Sequence, residues 1–316
     1  MPRLLRLATL GPFLALLGAS AFFAFESDRF LTGDNLSLVL QQVMVVGVIA
    51  IGQTLVILTA GVDLSCGTVM ALGNIVMTKL AAEHGLPAPV AIAAGVGVTT
   101  LFGLVNGLLV SRVKLPPFIV TLGTLNIAFA LTQIYSASQT IADLPPGLTA
   151  LGGTFALGGS AMMYGVVMML ALYALAAFGL RETAAGRHVY AVGNDPEAAR
   201  LSGIATHRVL LGVYVLAGVT YGIAALLFVA RTGVGDPQAG QTENLDAITA
   251  VVLGGTSLFG GRGAVLGSLI GALIVGVFRN GLTLIGVSSI YQVLITGILV
   301  ILAVTADQLS RRGTHA

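Results

Sequence analysis

Charge is what this chain has least of. Asp, Glu, Lys and Arg make up 9% of its 316 residues, against 56% hydrophobic residues, and the mean hydropathy is +0.97. An ordinary soluble domain carries about 25% charged residues, so a water-soluble globule is excluded. A bilayer accepts apolar side chains facing outward and demands only that backbone groups pair internally. Tryptophan is absent, which leaves any interfacial aromatic belt to the seven Tyr and some of the Phe. Cys66 is the single cysteine, so no intrachain disulfide can form.

Other absences narrow the chemistry. Lysine occurs only at 79 and 114, and neither follows a glycine. A phosphate loop of the form G-x-x-x-x-G-K-[ST] is therefore missing, and the chain does not hydrolyse ATP by itself. GGTSLFGGRG, residues 254–263, lacks that lysine and reads as a tight turn between membrane segments. The four His make no H-E-x-x-H or paired-ligand spacing. No metal, cofactor or nucleic-acid partner is expected.

What is present is a series of apolar runs about 20 residues long, the length that carries a helix across a bilayer core of roughly 30 Å. They lie near 5–25, 37–60, 64–82, 89–110, 117–136, 161–180, 209–230, 247–258, 264–284 and 288–306. This predicts an all-α polytopic bundle of about ten spans within one domain, 1–316. The segment 247–258 is too short to cross unaided and reads as a half-helix, or as one extending into GGTSLFGG. The first run follows Arg3 and Arg6, as a leader would, but continues through Phe25 and reads as a retained span.

The positive-inside rule sets the orientation. With the N-terminus inside and ten crossings, both ends are cytoplasmic. Arg3, Arg6, Arg112, Lys114, Arg181, Arg187, Arg200, Arg208, Arg262, Arg311 and Arg312, eleven of the fifteen Lys and Arg, then fall on the cytoplasmic side. The longest cytoplasmic connection is 181–208, and it contains VGNDPEAARLSGI. Asn194 or Asp195 can cap a helix start, Pro196 suits the first turn, Glu197 complements the dipole and Gly203 supplies a left-handed stop. A helix of about two turns near 195–203 follows. So short a helix is not stable alone in water; it must pack on its own bundle or on a cytoplasmic partner.

The spans hold few ionisable groups, which an ion-coupled carrier would retain. Asp63, in GVDLS, sits where it or Ser65 could cap the next helix. Arg279 lies about five residues, roughly 7.5 Å, from the end of its span and reads as a snorkelling side chain. Neutral polar residues are more frequent. Asn74, Asn106, Thr121, Asn126 and Asn280, with Asp63 and Ser65, are the translocation-pathway candidates, although such groups also bond neighbouring helices. Gly263, Gly267 and Gly271 mark a close helix contact, within the chain or across a dimer.

Four stretches together resemble the membrane permease subunits of bacterial ABC importers of the ribose and related monosaccharide type: GVDLSCGTVMALGN (61–74), LPPFIVTLGT (115–124), GRHVYAVGNDPEAARLSGI (186–204) and DAITAVVLGGTSLFGGRGAVLGSLIGALI (246–274). The resemblance implies import of a monosaccharide, or of another small polar solute such as an autoinducer-type furanosyl compound, across the bacterial inner membrane. It implies two permease copies or paralogues, two cytoplasmic ABC ATPase subunits and an extracytoplasmic sugar-binding protein. It also implies that the short helix bearing Glu197, Ala198 and Ala199, with Asn194, Asp195, Pro196, Arg200 and Gly203 around them, docks into an ATPase. The competing expectation is a stand-alone secondary carrier.

Overall fold

The computed structural model describes residues 2–295 together with 297, 298, 301 and 305, with side chains from Leu10 onward. The side chains of Arg3 and Arg6, most of the last predicted span beyond residue 295, and Arg311 and Arg312 lie outside the described residues.

Among the described residues, twelve bounded helices follow one another: α1 (Pro2–Glu26), α2 (Gly33–Leu58), α3 (Cys66–Ala82), α4 (Ala88–Ser111), α5 (Pro117–Ser136), α6 (Pro146–Thr149), α7 (Tyr164–Glu182), α8 (Ala184–Asn194), α9 (Pro196–Leu201), α10 (Thr206–Thr232), α11 (Glu243–Leu253) and α12 (Val265–Leu284). A 3₁₀ turn at Ala150–Gly152 and helical backbone over 289–295 complete the described helices. Six of them, α2, α4, α5, α7, α10 and α12, are long and apolar enough to cross a membrane. Leu10–Glu26 of α1 and the 17-residue α3 are shorter apolar helices. The chain is a multi-pass membrane protein, nearly all-α.

One expectation needs correction, and one left open between a half-helix and an extension is resolved as the half-helix. The predicted span 161–180 begins only at Tyr164, because residues before it pair as a hairpin, β1 (Thr154–Leu157) with β2 (Ser160–Met163). Gly158 and Gly159 form its two-residue turn, both at positive φ, which suits the right-handed strand twist. The segment 247–258 does not continue into GGTSLFGG: α11 stops at Leu253 after 11 residues. At 1.5 Å per residue it reaches about 16 Å, half a hydrocarbon core.

Packing centres on α10, which lies most extensively against α4 and α2. Gly103 of α4 meets the backbone of α10 at Tyr214 and Gly218, and Gly107 one turn on lies against Leu211 and Tyr214, so the two helices approach closely. Polar atoms tie the rest: Tyr173 of α7 donates to the Gly47 carbonyl of α2 at 2.8 Å, and Thr54 and Ser268 hydroxyls join α2 to α12 at 2.7 Å. The glycine stripe on α12 is used within the chain, with Gly267 against Gly254 and Gly271 against the Ala250 carbonyl.

Candidate coupling face and buried polar crossing

The predicted short helix exists as α9, and Asp195 rather than Asn194 is its cap. Its Oδ1 accepts from the backbone N–H groups of Glu197 at 2.9 Å and Ala198 at 3.0 Å, while Asn194 closes α8. Pro196 takes the first helical position, where its missing N–H leaves nothing unpaired. Gly203, at φ +85°, ends the helix, with its own N–H on the Arg200 carbonyl and Ile204 N–H on Ala199. Only Ala199 is buried; Leu201 is 74% exposed.

Glu197 and Arg200 form a two-pronged ion pair at 3.0 and 2.6 Å on the outer surface of α9. The hydrogen bonds from Arg200 hold the Glu197 carboxyl below its usual range, and Glu197 in turn raises Arg200, so both stay charged at neutral pH. Lys114, on the α4–α5 turn, adds a smaller attraction to Glu197. The turn and α9 therefore share one face.

What roots α9 is α8, an amphipathic helix absent from the sequence reading of 181–208. Thr183 caps it by accepting from Gly186 N–H at 3.1 Å, and Gly186, Val189, Val192 and Gly193 turn inward. A β-carbon at Gly193 would collide with the Leu58 carbonyl at the end of α2. That same carbonyl accepts from Gly261 N–H at 2.9 Å, and Tyr190 donates to the Gly263 carbonyl at 3.0 Å. The base of α9 thus rests backbone to backbone on the end of α2 and on the glycine-rich loop 254–264. Such contacts have no side chain to bend, so displacement of α9 passes to both.

Beyond Leu58 the chain unwinds over 59–65 before α3 begins, and a second unwound segment, 233–242, precedes α11. Each touches the helix that follows the other: Gly240 of the second is in backbone contact with Gly67 at the start of α3, and Asn244 of α11 donates to Leu64 O of the first at 3.5 Å. Unwound backbone inside an apolar bundle needs partners for its free carbonyls. Three consecutive carbonyls find them on three helices: Val62 from Thr121 of α5 at 3.2 Å, Asp63 from Gln53 of α2, and Leu64 from Asn244 of α11. In the second segment, Asp236 O accepts from Asn74 at 2.9 Å and Pro237 O from Gln133 at 3.0 Å.

Asp63, 1% exposed, is the hub of the crossing. Its Oδ1 accepts from the Ser65 N–H at 2.8 Å and from the Ser65 hydroxyl at 2.6 Å, and its Oδ2 from the Tyr221 hydroxyl of α10 at 3.2 Å. Asn106 of α4 then donates to Ser65 Oγ at 3.2 Å. The expected caps on α3 become one four-residue chain joining α10, α3 and α4.

The remaining candidates lie apart. Asn280 exchanges two amide hydrogen bonds with Asn35, each 3.0 Å, and locks α12 to α2. Asn126 faces outward and bonds its own helix at Leu122 O. Arg279 does not snorkel: its Nη2 sits 2.8 Å from Asp246 Oδ2, and Asp246 is buried. Sequence reasoning missed Tyr221, Asn244 and Asn35, which only long-range folding brings to their partners.

The chain is 44% identical over 301 residues to a fructose import permease protein of Rhizobium meliloti, across 94% of this chain and 84% of that one. A ribose import permease protein of Bacillus subtilis is 40% identical over 302 residues, across 95% and 92% of the two chains. A D-allose transport system permease protein of Escherichia coli is 33% identical over 297 residues, across 94% and 90%. Residues 35–304 match the family described as branched-chain amino acid transport system / permease component. With a multi-pass bundle, relatives that align over nearly their whole length and a family match across most of the sequence, the chain belongs to that permease-component family, alongside its sugar import permeases.

Proposed function

We propose that the chain is the membrane permease subunit of an ATP-driven importer that carries a monosaccharide into the cytoplasm across the bacterial inner membrane. The observation that carries this reading is α9: a capped, mostly exposed helix rooted through Gly193 on the end of α2. ATP is hydrolysed in cytoplasmic ABC ATPase subunits that grip α9, an extracytoplasmic sugar-binding protein delivers the solute, and a second permease copy or a paralogue completes the pathway. An ATPase that changes shape on nucleotide binding favours one position of α9 over another, and that differential affinity is what moves the permease between inward and outward states.

About ten spans with both ends cytoplasmic is the topology that goes with this function. Its support is the way the connections associate. The end of α2, the α4–α5 turn, α8–α9 and loop 254–264 meet at one end, through Leu58, Lys114, Glu197 and Gly261. At the other, Ile141 pairs with Gly235, and Ser37 near the start of α2 donates to Ala161 of the hairpin. These are the two groups that the basic-residue bias assigns to opposite sides. Asp63, Ser65, Asn74, Asn106 and Thr121 shape the pathway by fixing the two unwound segments, Asn280 sets the α2–α12 contact, and Asn126 faces lipid or the second copy.

The test is reconstitution with the ATPase subunits and the binding protein. Replacing Glu197 and Arg200 together by Ala is expected to lower sugar uptake and transport-stimulated ATP hydrolysis at least tenfold while the permease keeps its fold; wild-type rates would refute docking through α9. Uptake by the permease alone, driven by an ion gradient in vesicles, would instead establish a secondary carrier.

A further inference from the structure

A cavity of about 500 Å³ opens between α2, α12, the hairpin and the last turn of α10. Arg231 stands at the end of α10, whose 27 residues span about 40 Å, so the cavity lies at the opposite end of the bundle from α9. Its polar wall carries Gln41, Gln42, Arg231 and Arg279, and its apolar wall includes Val43 and Val275.

Their hydrogen-bonding state is uneven. Gln41 donates to Ser37 Oγ at 3.1 Å, but Gln42 Oε1 is buried and accepts no hydrogen bond among the described residues. A buried amide oxygen left without a donor costs stability, so it points to an occupant that supplies one. The guanidinium groups offer donors in fixed planes and no acceptor. An occupant that both donates, to Gln42, and accepts, from Arg231 and Arg279, satisfies the wall. Hydroxyl groups do both.

The charge balance separates a neutral from an anionic occupant. Arg279 is neutralised by its ion pair with buried Asp246, and Glu243 lies within electrostatic reach of Arg231. With a carboxylate near each arginine, the wall attracts an anion less than two unopposed guanidinium groups would. The apolar wall suits the C–H face of a ring while the planar groups reach its hydroxyls, the usual division of labour in a small-molecule site.

We propose that this cavity is a binding site for a neutral polyhydroxylated solute of monosaccharide size, held by Gln42, Arg231 and Arg279. The assignment rests on the sugar-import reading above and adds where the permease itself holds the solute, at the end remote from the ATPase-coupling helix.

The experiment measures equilibrium binding of radiolabelled D-ribose, D-fructose and D-glucuronate to the full-length permease in lipid nanodiscs, beside uptake by the reconstituted importer. Saturable binding of ribose or fructose is expected, weakened at least tenfold in Gln42→Leu and in Leu38→Trp. The second variant fills the cavity from a lining residue that is 44% exposed and asks nothing of the core. In uptake, both variants should raise KM with ATPase stimulation kept. Binding that both variants leave unchanged, or glucuronate binding tenfold tighter than either neutral sugar, would overturn the proposal. Wild-type sugar uptake with an unaltered KM in both variants would overturn it as well while leaving the import function intact. Absence of any ATP-driven sugar uptake by the wild-type importer would refute the import function itself.

Discussion

Two arginine–carboxylate pairs in this molecule have nearly the same closest approach and opposite surroundings. Arg200 and Glu197 approach to 2.6 Å with side chains 60% and 67% exposed, while Arg279 and Asp246 approach to 2.8 Å with 38% and 3%. Water screens the first pair, so it contributes little to folding. The second gives a buried carboxylate the partner without which its charge would stand uncompensated in the bundle. The comparison teaches that closeness does not measure worth: the exposed pair is free to serve a partner, and the buried pair is committed to joining α11 and α12.

The largest effect should come from breaking the buried pair. Arg279→Met leaves Asp246 uncompensated and should destabilise the permease by about 3 kcal/mol, the low end of the range for buried pairs because Arg279 is partly exposed. Thermal unfolding in detergent checks this. Adding Asp246→Leu should recover more than half of the loss, and a double variant no more stable than Arg279→Met would show that the ion pair is not what Arg279 supplies.

A smaller effect is expected at the cap of α9. Asp195→Ala removes the acceptor for two backbone N–H groups and should cost about 1 kcal/mol of local stability. Hydrogen exchange should rise at Glu197 and Ala198 and not in α10. Exchange unaltered at those amides would mean that packing of Ala199, rather than the cap, holds α9.

The smallest effect on stability, and the sharpest test of the contrast, is a charge swap. Glu197→Arg combined with Arg200→Glu keeps a pair on exposed α9 and should leave the melting temperature unchanged, yet it reverses the pattern presented to the ATPase and to Lys114. Transport-stimulated ATP hydrolysis is expected to fall several-fold. Full activity would show that the ATPase reads the shape of α9 and not its charges.

How much of this was legible beforehand depended on distance along the chain. The apolar helices α2, α4, α5, α10 and α12 were read within a few residues of their bounds, because the length and hydropathy of a span are local properties. The caps and stop of α9 were legible for the same reason: Asp195, Pro196 and Gly203 act on backbone groups within a few residues. The β1–β2 hairpin was missed although Gly158–Gly159 marks its turn, since most of its second strand was absorbed into the predicted span 161–180 and the first was left without a partner. Helix α8 was also missed, because its amphipathic pattern sits in a basic loop read only for its charge and for the caps of α9.

Sequence alone therefore determined the membrane class, the apolar spans, the absence of a phosphate-binding lysine and the short capped helix with its Glu197 and Arg200. Each follows from composition or from interactions a few residues long. Tertiary structure alone decided that Asp63 answers to Tyr221, 158 residues away, that Arg279 pairs with Asp246, and that Gln42 lines a cavity with two arginines. Such partners are chosen by which helices pack together, and a buried polar atom in an apolar bundle must accept whichever donor the packing brings to it.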